Sequence, residues 1–130
     1  MGYEQFVDDV KRRTGFSRRD LAERAIDATL RVLGERLETR HSHAIAEQLP
    51  PPLARSLQRW PFDGEFGLDE FYERISSREG VSSKLAAHHA KVVCQVLREA
   101  VNDDGIEHLT ADLPEPFAHL FAPLSRRSGP

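Results

Sequence analysis

Residues 2–22, GYEQFVDDVKRRTGFSRRDLA, and residues 67–86, GLDEFYERISSREGVSSKLA, carry one pattern written twice. Extended in both directions, residues 2–57 lie over residues 67–121 with Asp20 left unpaired, and 14 of the 55 aligned positions are identical. They are Gly2/Gly67, Phe6/Phe71, Arg13/Arg78, Gly15/Gly80, Ser17/Ser82, Leu21/Leu85, Ala22/Ala86, Val32/Val96, Leu33/Leu97, Glu35/Glu99, Leu49/Leu113, Pro50/Pro114, Pro52/Pro116 and Ala54/Ala118. Most are residue types that serve a core, a cap or a turn, so the duplication speaks to architecture before chemistry.

Within each copy the apolar residues recur at helical spacing. Tyr3, Phe6, Val7 and Val10 share one face of a 3.6-residue helix, and Leu68, Phe71, Tyr72 and Ile75 repeat it. Gly15 and Gly80 lie where a helix needs a left-handed residue to end, and Arg13 and Arg78 fall in the last turn, where positive charge is favoured. Ser17 with Asp20 resembles a capping box, and Ser82 or Ser83 can cap the equivalent helix. The next segment, about Arg18 to Glu38, is apolar over most of its circumference, as is its counterpart from about Lys84 to Asn102. A helix of that kind is a buried one, so these two form the expected central pair, with Ala22, Ala25, Ala86 and Ala90 permitting close approach.

A polar break and a short helix ending in Leu-Pro follow in each copy, at Leu49-Pro50 and Leu113-Pro114, because proline disfavours helical geometry in the residue before it. Thr39 is the expected cap of the first; Asp104 with Glu107 makes a capping box for the second. A last short helix starts on proline in each half and carries Leu53 and Leu57, or Phe117, Leu120 and Phe121.

The fold class is therefore all-α: a helical bundle of about eight helices in two pseudo-symmetric tandem repeats sharing one core. Halves of 55–60 residues are marginal alone, so residues 1–130 are read as a single domain, with repeat one at about 2–57, an aromatic linker at 58–66, repeat two at about 67–121, and a flexible tail at 122–130. The linker QRWPFDGEF brings three large aromatics. Trp60, Phe62 and Phe66 are expected to pack over the seam between the halves; the sharper alternative is an exposed surface that binds a partner.

A net charge of -3 with 39% hydrophobic and 30% charged residues describes an ordinary soluble chain. It argues against general nucleic-acid binding, which draws on a basic face. Residues 1–60 hold 11 basic and 9 acidic residues, whereas residues 61–130 hold 7 and 12, an asymmetry read as a solvated surface. No apolar run approaches the roughly 20 residues of a membrane span, and Met1-Gly2-Tyr3-Glu4 does not open a signal segment. Together with a lone Cys94, this points to the cytoplasm.

Chemical candidates are sparse. Of the six histidines, no two are three or four apart on a helix. His43 with Glu47 and Asp104 with His108 have that spacing as isolated pairs, which does not make a metal centre. His88 and His89 point about 100° apart and read as boundary residues. Cys94 aligns with Leu30 and reads as a small core residue rather than a nucleophile. Arg12, Arg13, Arg18 and Arg19 can contact an anion, but Asp8, Asp9 and Asp20 are interleaved, and a charge-balanced surface is the preferred reading. No phosphate loop, nucleophile elbow or dinucleotide fingerprint is present, so no catalytic residue, cofactor or metal is assigned.

The joint order of these motifs resembles a known family. An aromatic opening helix with Glu-Gln-Phe or Asp-Glu-Phe is followed by a Gly-Phe-Ser or Gly-Val-Ser turn. Next comes a long Ala/Leu helix ending Val-Leu-Gly-Glu-Arg-Leu or Val-Leu-Arg-Glu-Ala-Val, then Gln-Leu-Pro or Asp-Leu-Pro, all doubled around Pro61-Phe62-Asp63. The chain is similar, over nearly its whole length, to the bacterial domain of unknown function 2267 (DUF2267). That resemblance implies a small all-helical bacterial protein without an established activity and supplies no site residue. Residues 40–44, Arg-His-Ser-His-Ala, depart from the acidic or glycine-containing helix entry that the second half keeps as Asp103-Asp104-Gly105. The function expected is a non-catalytic protein-interaction or regulatory module, acting on an unknown protein partner or by self-association. The competing class is a small-ligand binder or enzyme with a pocket at the repeat seam, near Trp60, Phe62 and His88 or His89.

Overall fold

Two glycines with positive φ, Gly15 at 81° and Gly80 at 79°, close the first helix of each half. Their backbone N–H groups donate to Lys11 O and Ser76 O, the left-handed ending that their lack of a Cβ permits. The computed structural model describes residues 1–122. Among them are α1 (Tyr3–Thr14), α2 (Arg19–Arg36), α3 (Thr39–Ala46), α4 (Pro51–Leu57), α5 (Leu68–Glu79), α6 (Ser83–Ala100), α7 (Asp103–Ala111) and a closing 3-10 helix, Glu115–Leu120, with no strand. The expected flexible tail lies, from residue 123 onward, outside the described residues.

The elements pair reciprocally. α1 packs on α2 and on α6, α5 packs on α6 and on α2, and the like pairs α2·α6 and α3·α7 meet each other. This is the arrangement that two repeats around a shared core produce. One cluster of buried side chains takes Phe6, Val10, Leu30, Leu33 and Leu37 from the first half and Phe71, Ile75, Val93, Leu97 and Phe117 from the second. The first-turn leucines of the long helices stay outside it: Leu21 is half-buried and Leu85 is exposed.

Two of the repeated identities acquire a cause that the sequence did not disclose. Arg13 forms a bidentate pair with Glu99, at 2.9 and 2.7 Å, and Arg78 bonds Glu35 at 2.7 Å. Arg13/Arg78 and Glu35/Glu99 are aligned positions, so one ion pair is made twice, each time from one half to the other. The arginines serve their helix ends and also join the halves.

Several caps differ from expectation. Ser82 Oγ accepts the Leu85 N–H, as anticipated. α2 instead starts after Arg18, whose guanidinium takes Asp20 in a bidentate pair at 2.9 Å and removes that carboxylate from any capping box. α7 is capped by Asn102, whose Oδ1 accepts the Gly105 N–H, two residues earlier than an Asp104 cap. α3 has no side-chain cap of its own from Thr39: the Asp112 carboxylate, from the other half, accepts the Glu38 N–H at 2.8 Å.

Candidate functional site

The linker divides into a held part and a free part. Asp63 N–H donates to Glu35 O at 2.7 Å, Arg36 Nε donates to Phe66 O at 2.7 Å, and the Arg74 guanidinium bonds Asp63 at 2.9 Å while lying 3.8 Å above the Phe66 ring. Phe66 is thereby half-buried against the core. Trp60 and Phe62 do not pack over the seam as expected: they are 42% and 36% exposed. Leu53 and Leu57 already fill the core beneath α4, and the backbone anchors begin only at Asp63, so the two preceding aromatics are left on the surface. The Arg59 guanidinium stands over the Trp60 ring at 5.7 Å, and Trp60 with Thr39, Ser42, Gln58 and Pro61 lines a shallow groove of about 300 Å³.

The arginines read as an anion contact are all engaged. Arg12 holds Asp9 at 2.9 Å, Arg13 holds Glu99, Arg18 holds Asp20, and Arg19 holds Glu4 at 2.6 Å with Asp8 and Glu23 nearby. Their charge is spent on the protein's own carboxylates, which favours the charge-balanced reading. A larger groove of about 720 Å³ runs between Tyr3 of α1, Glu23 to Arg31 of α2 and Pro52 to Ser56 of α4. It is lined by the first half and by Gln58 and Arg59 at the start of the linker, and none of Trp60, Phe62, His88 and His89, near which a ligand pocket was envisaged, lines it.

His88 is exposed, whereas His89 is buried, its ring tilted against Phe16 with centroids 4.6 Å apart, and its Nδ1 lies 2.5 Å from Glu79 Oε2. Burial pushes the Glu79 carboxyl up to about 7, partly offset by Arg24, and pulls His89 below the ordinary histidine value. Burial thus opposes the charged form of each partner. Cys94 is fully buried and burial pushes its thiol far up, which suits a packing residue and not a nucleophile.

One constellation had no signature in the chain. α3 and α7 meet, and their contact brings His41 Nδ1 to 2.8 Å from His108 Nδ1, across 67 residues of sequence. His41 Nε2 is 3.5 Å from Asp112 Oδ1, and Glu38, His41 and Asp112 each present a ligand-type atom within 4.8 Å of the others. His41 is buried; the two carboxylates are half-buried. It sits in the Arg-His-Ser-His-Ala stretch that departs from the usual helix entry, the one signal by which it could have been suspected.

No curated protein matches the chain. The family described as "Uncharacterized conserved protein (DUF2267)" matches residues 3–120, nearly the full length, and the chain belongs to that family.

Proposed function

We propose that this protein is a non-catalytic protein-interaction or regulatory module and that its contact surface is the linker face carrying Trp60 and Phe62. The observation that carries the reading is the exposure of these two aromatics on a segment whose backbone is tied down at Asp63 and Phe66. A partly exposed indole and phenyl next to that anchored backbone offer a large apolar contact area, as recognition surfaces require. The occupant is a protein partner or a second copy of the chain. We take the two halves to act as one unit, since the buried cluster mixes residues of both. A bacterial cytoplasmic setting is part of the same reading, supported by the family resemblance and by the unpaired Cys94; no described helix is long and apolar enough to cross a membrane.

Trp60→Ser and Phe62→Ser test it, with sedimentation mass, partner capture from the host and melting temperature measured on the same samples. Association should disappear while the melting temperature stays within about 2 °C of the parent, because groups already in water contribute little to folding. Intact association in both variants sinks the reading; a large loss of stability returns the aromatics to a packing role.

A further inference from the structure

We propose that Glu38, His41 and Asp112 form a binding site for a divalent transition ion of the zinc type, with His108 as the residue that orients His41. Zinc held by nitrogen and oxygen ligands sits about 2.0–2.2 Å from each, so neighbouring ligand atoms of a tetrahedral site are roughly 3.3–3.5 Å apart. His41 Nε2 and Asp112 Oδ1 are 3.5 Å apart. That separation is long for a hydrogen bond and right for two ligands of one ion. Glu38 supplies the third oxygen from within the same 4.8 Å cluster.

The hydrogen bonds around these three groups leave the needed lone pairs free. Asp112 Oδ2 accepts the Glu38 backbone N–H at 2.8 Å, which fixes the carboxylate and leaves Oδ1 to face His41. His41 Nδ1 and His108 Nδ1, 2.8 Å apart, share one hydrogen. With His41 as the donor, its Nε2 keeps the lone pair that a metal takes. His108 then carries its own hydrogen on Nε2, which faces Asp104 Oδ2 at 3.6 Å. A ligating histidine whose second nitrogen is held in this way has its tautomer and ring plane set by the outer shell. Imidazole with two carboxylates suits zinc and its neighbours better than magnesium or calcium, which prefer all-oxygen shells. Arg40 Nε, on Glu38 Oε1 at 3.1 Å, is exposed and can release that arm. The ligands come from both halves, so a bound ion would also clamp α3 to α7.

The chelator-treated full chain is titrated with zinc chloride against a chromogenic chelator, and with cobalt(II) followed by visible absorption. One zinc per chain is expected, with cobalt bands of tetrahedral intensity. Asp112→Asn and His41→Gln should each weaken zinc binding by about 100-fold or more, and His108→Gln by about 10- to 100-fold. Glu38→Gln should weaken it about 10-fold, and His43→Gln, at the exposed pair with Glu47, should not. Circular dichroism is recorded on every variant; if buried His41→Gln loses its helix content, the partly exposed Glu38→Gln and Asp112→Asn, whose amide oxygen can still accept the Glu38 N–H, decide. Absence of stoichiometric zinc binding by the parent, or unchanged affinity in both Asp112→Asn and Glu38→Gln, overturns the site. Unchanged affinity in His108→Gln overturns the orienting role.

Discussion

The cross-half ion pair Arg13–Glu99 stands on an open face, whereas its twin Arg78–Glu35 lies under the linker. Glu99 keeps 37% side-chain exposure and has one partner among the described residues; Glu35 keeps 9% and bonds both Arg78 and Arg74. The residue types are the same, and the difference comes from what covers them. Asp63 to Phe66 passes over Glu35 and recruits Arg74, and among the described residues no corresponding segment does this for Glu99. Two further contrasts follow the same logic. Gly34 of α2 aligns with Arg98 of α6; a Cβ at Gly34 would overlap the Leu57 carbonyl oxygen, so α4 is seated directly on α2. In the second half, where Arg98 forbids that approach, the last segment is a 3-10 helix and the larger Phe117 and Phe121 fill the space that Leu53 and Leu57 fill in the first. Finally, the buried Glu79 and His89 align with Thr14 and Ala25, so the titratable interior pair exists once. Duplication supplied one plan, and each half was then adjusted to a different neighbour.

The strongest way to break this comparison is Gly34→Ala. Backbone in α4 has to move to admit a methyl group, an overpacking cost at the upper end of roughly 1–3 kcal/mol. Arg98→Ala at the aligned position should change stability by less than about 0.5 kcal/mol. Chemical denaturation of both variants gives the answer, and equal costs would mean that α4 and the 3-10 helix rest on their long helices in the same way.

The ion pairs come next. Glu35→Gln leaves Arg74 and Arg78 without their shared carboxylate beneath the linker. Because those arginines are partly exposed and Arg74 also holds Glu70 and Asp63, the cost is about 2 kcal/mol, below the 3–5 kcal/mol of a fully buried broken pair. Glu99→Gln should cost under about 1 kcal/mol and lose most of that in high salt. A salt-insensitive Glu99 effect as large as that of Glu35 would erase the distinction.

The third contrast is sharpened by a pH dependence. Glu79 has a raised folded pKa, so its contribution is present below about 4.5 and is lost as pH rises through about 7. His89 has a lowered one, so its contribution is lost as pH falls below about 6.5. Between about 4.5 and 6.5 the two contributions therefore change with pH in opposite senses and offset each other in part. His89→Phe, which keeps an aromatic ring beside Phe16, removes the histidine contribution and should lose stability more steeply than the parent as pH rises from about 4.5 to 7. A parent curve as steep as the variant's contradicts this opposition.

Much of the architecture was legible because it rests on local rules. Apolar spacing, the paired glycines and the Leu-Pro steps place every helix to within a few residues, and Gly15 and Gly80 end theirs as read. Capping was less legible at Ser17 and Asp104, where competing polar groups sit close together: Arg18 stands at the start of α2 without a side-chain cap, and Asn102 caps α7. The linker aromatics were misread in part: Phe66 is packed, yet Trp60 and Phe62 are exposed. Composition tells that an aromatic is apolar and not whether the core beneath it is already full. The histidine and carboxylate cluster escaped because its members fall as two pairs, three or four residues apart within either half and otherwise some 70 residues apart. Spacing rules for metal ligands see only one segment at a time.

By itself the sequence determined the elements, their order and their doubling, since helix period, left-handed glycine and proline geometry act over a few residues and need no partner. It also determined which helices must be buried, because an apolar surface wider than one stripe has nowhere else to go. Tertiary structure alone decided what the repeated charges do. Arg13 and Glu99, like Arg78 and Glu35, meet only once α1 lies on α6 and α5 on α2, and His41 reaches His108 and Asp112 only once α3 lies on α7. Charges and imidazoles act through distance in space, and that distance is set by the packing of apolar faces elsewhere in the chain.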